Sequence, residues 1–178
     1  YGLAVMGMAL FSESILKEHG FDQTTYHHVL ELGFYVGLLG QLIAGVLGRF
    51  VSLARILAGA MFVYAAALLW LTRVETLPQL YGYIVMASIS GGIITVVFFA
   101  IWPQAFGRAS LGRIQGAAQM LTVLASAAGP KVFSLCYLWN ESYSPAMYAL
   151  APIVIAFGLA AWFVRAPQAA DVPAAAAG

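Results

Sequence analysis

Six long apolar stretches, joined by short polar segments, constrain the fold of this chain more than any other feature of its sequence. They cover residues 1–16, 27–48, 53–71, 79–102, 111–138 and 145–164. A helix rises ~1.5 Å per residue, so about 20 residues cross a hydrocarbon core ~30 Å thick. Only 8% of the residues are charged and 62% are hydrophobic. The sequence therefore predicts an all-α, polytopic membrane protein in which residues 1–165 form a six-transmembrane-helix bundle.

The basic residues of the loops indicate how this bundle is oriented. The end that holds the second and fourth loops and the last helix terminus carries five of them: Arg49, Arg55, Arg108, Arg113 and Arg165. The opposite end carries only Lys17 and Arg73. By the positive-inside rule the first end is cytoplasmic, so we expect both chain ends in the cytoplasm and the bundle in the plasma (inner) membrane. Spread over loops that face the lipid bilayer, these residues predict no nucleic-acid surface.

The two ends of the sequence differ from each other. Residue Tyr1 already lies within an apolar stretch, without an initiator methionine or a charged leader, and we expect the chain to be part of a longer polypeptide. Residues 166–178 are rich in alanine and proline without periodicity, which predicts a disordered cytoplasmic tail. The lone Cys136 stands in an apolar run and is assigned a packing role.

Polar and small side chains recur along the second, fourth and fifth stretches, whereas the third and sixth are apolar on every face. The apolar pair is predicted to face lipid at the outside of the bundle. Stripes of this kind either hold helices together or line a water-filled path for a solute. The candidates for such a path are Gln41, Ser88, Thr95, Gln119, Thr122 and Ser126.

Two segments resemble a known family. Residues 106–130 read FGRASLGRIQGAAQMLTVLASAAGP and residues 11–34 read FSESILKEHGFDQTTYHHVLELGF. They resemble the entry to the eleventh helix and the junction of the seventh and eighth helices in major facilitator superfamily transporters. The resemblance covers nearly the whole chain and implies the C-terminal six-helix half of a twelve-helix secondary transporter. Its partners would be the N-terminal half of the same polypeptide and a small-molecule substrate. The chain departs from the family's cytoplasmic loop motif because Gly48 stands where that motif has an aspartate, while Arg49 keeps the basic position.

Three ionisable residues lie within or near the predicted spans, where charge is costly and tends to serve a function. Glu31 and Lys131 are each about 10 Å from the middle of their stretches on the outer side, and Glu13 is nearer the rim. We hypothesise that Glu31 and Lys131 are coupled as an ion pair or as alternating partners during transport. The competing interpretation is that all three side chains reach the interface as anchors.

Other classes of function fit the sequence less well. An intramembrane serine protease with Ser90 as nucleophile would need a histidine in the sixth stretch, and all three histidines precede residue 29. No metal-ligand spacing and no phosphate-binding loop occurs, so we predict no enzyme, no metal and no cofactor. The alternatives that remain are a secondary transporter driven by an ion or proton gradient and a structural or assembly membrane protein. For a transporter, the first expectation is a small polar or anionic solute such as a carboxylate held by Lys131, and the second is drug efflux.

Overall fold

The computed structural model describes residues 1–106 and 111–163. Six helices, numbered in chain order, make up almost all of this part of the chain: α1 (Gly2–Glu18), α2 (Gln23–Leu47), α3 (Leu53–Leu71), α4 (Leu77–Phe106), α5 (Leu111–Asn140) and α6 (Ser144–Phe163). The predicted all-α, six-helix organisation is confirmed. Arg108, Arg165 and the predicted tail at residues 166–178 lie outside the described residues.

The lengths of the helices suit a membrane protein. Five of them, α2 to α6, are long and apolar enough to cross a membrane, with lengths between 19 and 30 residues. The first helix has 17 residues, which corresponds to about 26 Å at helical rise. These lengths and compositions indicate an integral membrane protein.

Polar caps place several helix ends beyond the apolar stretches. Asp22 starts α2 by accepting a hydrogen bond from the backbone N–H of Thr25 at 2.9 Å. The side chain of Gln79 accepts from the N–H groups of Glu75 and Thr76 and so starts α4 two residues earlier than its apolar stretch. At the end of α1, Gly20 has a positive φ of 83°, and the N–H groups of Gly20 and Phe21 donate back to carbonyl oxygens of the last turn. Capping, rather than hydropathy, therefore determines these boundaries.

The helices associate in pairs that are distant in sequence. Helix α1 packs on α5, α2 packs on α4, and α3 packs on both α4 and α6. Along α1 and α5 the contacts advance together, from Gly2 beside Ser126 to Gly7 beside Phe133, so these helices run parallel. Helices α2 and α4 are parallel in the same way. Helices α3 and α6 are antiparallel, because Met61 meets Gly158 while Thr72, just after α3, bonds to Tyr148 near the start of α6.

Glycines make the α2–α4 pair close. A β-carbon on Gly92 would lie 3.0 Å from the backbone nitrogen of Gln41, and one on Gly40 would lie 3.0 Å from the α-carbon of Ile89. Real side chains do not fit so near a backbone. Without side chains at these positions the two helices approach within van der Waals contact of each other's main chain, which is how dispersion forces hold helices together in lipid.

The prediction that the third helix lies outside the bundle is wrong. Eleven of the residues of α3 are buried, more than in any other helix described here. Five of the eleven are alanines, Ala54, Ala58, Ala60, Ala65 and Ala67, and their small size lets α4 and α6 pack closely on α3. An all-round apolar helix is also the pattern of a buried one. Helix α6 does lie at the periphery, with Phe157 and Trp162 exposed.

Candidate functional site

A groove of about 420 Å³ opens between α1 and α2. It exists because each of these helices packs on a different partner, α1 on α5 and α2 on α4, and they make few contacts with each other. Helices α4 and α3 close its floor, to which Tyr64, Tyr83 and Ala87 contribute. The volume falls at the lower end of the range for small-molecule sites, about 300–1,000 Å³. The groove is the natural candidate for a ligand site in this chain.

One wall of the groove carries a strip of polar groups. Ser88 and Thr95 line it from α4, and Gln41 lines it from α2. Ser88 and Thr95 are two turns apart, which is about 10 Å along the helix. The backbone of Gln41 lies beside Gly92, between these two levels. The three side chains therefore form a strip of hydroxyl and amide groups within two membrane-length helices.

Tyrosines line the floor and the α1 wall. The rings of Tyr1 and Tyr64 meet edge to face, with centroids 5.1 Å apart and an interplanar angle of 68°. The hydroxyl of Tyr1 lies over Gly91, where an added β-carbon would come within 2.7 Å of it. At the end of the groove near the α1–α2 connection, the Tyr26 hydroxyl is 3.4 Å from Ser12 Oγ. The aromatic faces give the groove an apolar body, and the hydroxyls add polar edges.

The lining of the groove is free of formal charge over the part of the chain that the structure describes. Its residues include tyrosine, serine, threonine and glutamine but no aspartate, glutamate, lysine, arginine or histidine. Within residues 1–106 and 111–163, no three histidine, cysteine, aspartate or glutamate side chains gather as metal ligands either. A ligand in this groove would therefore meet apolar contacts and neutral hydrogen-bonding groups.

The six predicted path residues fall into two separate groups. Gln41, Ser88 and Thr95 line the groove. Thr122 and Ser126 instead face the backbone of α1, where both lie within 3.4 Å of a β-carbon built on Gly2. Their neighbour Gln119 is exposed on α5 and does not line the groove. Of the polar residues predicted on α5, Thr122 and Ser126 therefore belong to the contact surface for α1.

The predicted coupling residues are not brought together. Glu31 and Lys131 are both exposed, and neither lines the groove. Their helices are not a packed pair, because α2 packs on α4 while α5 packs on α1. Glu13 is exposed as well. The geometry on which the ion-pair hypothesis depended is therefore absent from this structure.

The connections at one end of the bundle are tied together by a feature that sequence reasoning missed. The Glu18 carboxylate accepts hydrogen bonds from the Ser142 hydroxyl and from the backbone N–H of Tyr143 at 3.2 Å. The adjacent His19 Nδ1 lies 2.9 Å from the carbonyl oxygen of Val74. We call these contacts of Glu18 and His19 the loop latch. It joins the end of α1 to the α3–α4 and α5–α6 connections.

The predicted basic residues lie at the end opposite the loop latch. Arg49 and Arg55 flank the α2–α3 connection, and Arg113 lies in the first turn of α5; all three are exposed. Their common end agrees with the loop pattern read from the sequence, while Arg108 is outside the described residues.

The groove tyrosines were also missed as site residues. Tyr1, Tyr64 and Tyr83 were not considered as lining residues. The signal available was the presence of hydroxyl-bearing rings within apolar stretches, since a buried tyrosine generally has a polar neighbour for its hydroxyl.

Comparisons with models of protein families, with characterised proteins and with solved structures give no match.

Proposed function

We propose that this chain is the C-terminal half of a secondary active transporter of the major facilitator type. In this proposal it moves a small solute by alternating access, driven by an ion or proton gradient. The observation that carries the proposal is the groove, in which Gln41, Ser88 and Thr95 present polar groups inside long apolar helices. Polar groups at membrane depth are costly unless they face the bundle interior or a water-filled cavity.

The pairing of the helices supports the same proposal. In many transporters each half consists of two three-helix repeats of inverted topology, related by a two-fold axis in the membrane plane. Such an axis would exchange α1, α2 and α3 with α4, α5 and α6. It would turn the parallel α1–α5 pair into the parallel α4–α2 pair, and the antiparallel α3–α6 pair into itself. All three of these pairs occur here.

The proposal also includes an orientation in the membrane, a partner half and candidate coupling groups. With the arginine-bearing end in the cytoplasm, the loop latch lies at the outer end of a protein in the plasma membrane. The N-terminal half of the polypeptide would cover the open side of the groove and supply the rest of the site. Glu13 and Glu31 stay the candidate coupling groups of this chain, as independent carboxylates rather than as partners of Lys131.

Thiol labelling tests the proposal without knowledge of the substrate. In a Cys136→Ser background, single cysteines are placed in the groove (Ser88→Cys and Thr95→Cys) and on the exposed flank of α3 (Val63→Cys). If the groove is a water-filled solute path, a membrane-impermeant maleimide labels the groove cysteines in sealed vesicles about tenfold faster than the Val63→Cys variant, because thiolate forms only in contact with water.

The labelling experiment also separates the two classes of function. Equal, slow labelling of all three variants from both sides of the membrane would reject a solute path. The structural or assembly interpretation would then be the better account of the same glycine contacts. Groove labelling that changes when an ion gradient is imposed would support coupling, and a vesicle flux screen of the full polypeptide would then identify the solute.

A further inference from the structure

Starting from the proposed function, we infer that the groove between α1 and α2 selects an uncharged amphipathic solute with an aromatic or otherwise flat apolar body. This reverses the expectation of a carboxylate substrate drawn from the sequence. It rests on three observations: the tyrosine floor, the narrow polar strip and the absence of formal charge from the described lining.

The floor favours a flat apolar body. Tyr64 and Tyr83 lie at the bottom of the groove, and the Tyr1 ring meets Tyr64 at 5.1 Å. Apolar side chains such as Val29 and Ile84 complete this part of the lining. Aromatic rings attract other rings in offset or edge-to-face geometry, beyond the effect of buried area. A solute with an aromatic body gains both contributions here.

The strip determines where the polar edge of the solute lies. Gln41 offers both a donor and an acceptor, and the hydroxyls of Ser88 and Thr95 rotate to donate or accept. Thr95 Oγ1 donates to the carbonyl oxygen of Gly91 at 2.9 Å, so towards a ligand this hydroxyl acts as an acceptor. One or two neutral polar groups along an edge of about 10 Å satisfy this strip.

The lack of positive charge in the described lining disfavours an anion. An ion that leaves water for an apolar groove loses several kcal/mol of hydration unless an opposite charge compensates it. Lys131, the cation assigned to this task by the sequence, is exposed on α5 and does not line the groove. Along the lining that the structure describes, a cation would find only the faces of the tyrosines, worth about 0.5–2 kcal/mol. The expected order of affinity is therefore neutral, then cationic, then anionic.

A charge series on one carbon skeleton tests this order. The probes are 2-naphthalenemethanol, 2-naphthylmethylamine and 2-naphthoate, which are neutral, cationic and anionic at pH 7. Each is equilibrated with the full polypeptide, both halves included, in lipid nanodiscs, and the bound fraction is measured by dialysis. The Thr95→Trp variant fills the groove at an exposed position and supplies the blank for partition into lipid. Val63→Trp, which adds the same ring on the exposed flank of α3, is the matched control.

The expected result is specific binding of the alcohol to the unmodified chain and to Val63→Trp, lost in Thr95→Trp. The carboxylate should bind at least about tenfold more weakly. Gln41→Leu should weaken binding of the alcohol about three- to tenfold, the loss of one neutral hydrogen bond. It should leave 2-methylnaphthalene unaffected, because that hydrocarbon has no group for the amide.

Three results would overturn the inference, and they differ in what they imply for transport. Tightest binding of the carboxylate or of the amine would reject the neutral class while keeping the groove as a ligand site. Binding of no probe above the Thr95→Trp blank, with groove cysteines that still react with maleimide, would reject this solute class but not the solute path. Loss of both signals would reject the proposed function together with the inference.

Discussion

The two parallel helix pairs, α2–α4 and α1–α5, pack through glycines in the same way but differ in the side chains around those glycines. In both, a glycine on one helix meets the backbone of the other: Gly92 lies against Gln41, and Gly129 lies against Gly7. In α1–α5 the Phe133 ring also fills the space over Gly7, and Phe133 is fully buried. In α2–α4 no aromatic side chain is among the nearest neighbours of the interface glycines.

The polar side chains of the two pairs differ accordingly. Thr122 and Ser126 of α5 are turned onto the backbone of α1. Thr95 of α4 lines the groove, and Ser88 lines it with its Oγ also beside Gly33 of α2. The loop latch further ties α1 to the α5–α6 connection through Glu18. The comparison teaches that a polar stripe beside glycines is either a contact surface or the wall of a cavity. The rotation of the helix decides which of the two it becomes.

The largest effect is expected from Gly92→Leu. A side chain there meets the main chain of α2 at Gly37 and Gln41, and backbone cannot move aside as a flexible side chain does. We expect loss of the α2–α4 contact, with destabilisation of at least about 3 kcal/mol, seen as aggregation in detergent size-exclusion chromatography. Gly59→Ala is the control, since an added β-carbon has no neighbour within 4 Å. A monodisperse, thermally stable Gly92→Leu protein would show that the α2–α4 contact is not closely packed.

Phe133→Ala tests the aromatic contact that distinguishes α1–α5. The ring is fully buried between α1 and the start of α6, so its loss leaves a cavity and should destabilise the protein by about 3–5 kcal/mol. Thermal unfolding in detergent measures the change, with Leu121→Ala on the exposed face of the same helix as control. Equal destabilisation by the two substitutions would argue against a specific contribution of the Phe133 ring to the α1–α5 contact.

Breaking the loop latch should have an intermediate effect. Glu18→Gln keeps the shape of the side chain but weakens the hydrogen bonds that the carboxylate accepts from Ser142 and Tyr143. Hydrogen bonds to a charged group contribute about 1.5–3 kcal/mol when sheltered, and we expect about 1 kcal/mol at this exposed end. Amide exchange of Tyr143 should accelerate, while exchange in the α2–α4 contact stays unchanged. Uniform acceleration over both pairs would mean that the latch does not act locally.

The smallest effect concerns the start of α2. The hydrogen bonds from the Thr25 side chain and backbone lower the pKa of Asp22 from its ordinary value of 3.8. Because the folded-state pKa is depressed, the stabilisation by this cap is present above pH 3.8 and is lost as the pH falls through the folded-state value. Amide exchange of the first turn of α2 should therefore accelerate in acid. Asp22→Asn keeps a capping side chain and should remove this pH dependence; an unchanged acid response would assign it to another group.

The helices were predictable because each is a local property of the chain. Residues 53–71 were predicted as one stretch and form α3 with those bounds. The start of α4 was predicted two residues late, since the Gln79 side chain extends the helix beyond the apolar run. Three of the six path candidates, Gln41, Ser88 and Thr95, line one groove. They could be selected because polar groups in an apolar stretch are few and identifiable by residue type.

The sequence by itself determined the helical class, the number of helices and the end of the bundle at which the arginines gather. Hydropathy, helical rise and loop charge act over a few turns of one chain, and none of them requires knowledge of a neighbour. Only the tertiary structure decided that α3 has the most buried residues of the described helices, that Glu31 and Lys131 lie on helices of different pairs, and that Thr122 faces α1 rather than the groove. Pairing and rotation depend on where glycine and alanine surfaces fit another backbone, which is a property of two helices at once. An apolar surface looks the same in sequence whether it packs against protein or against lipid.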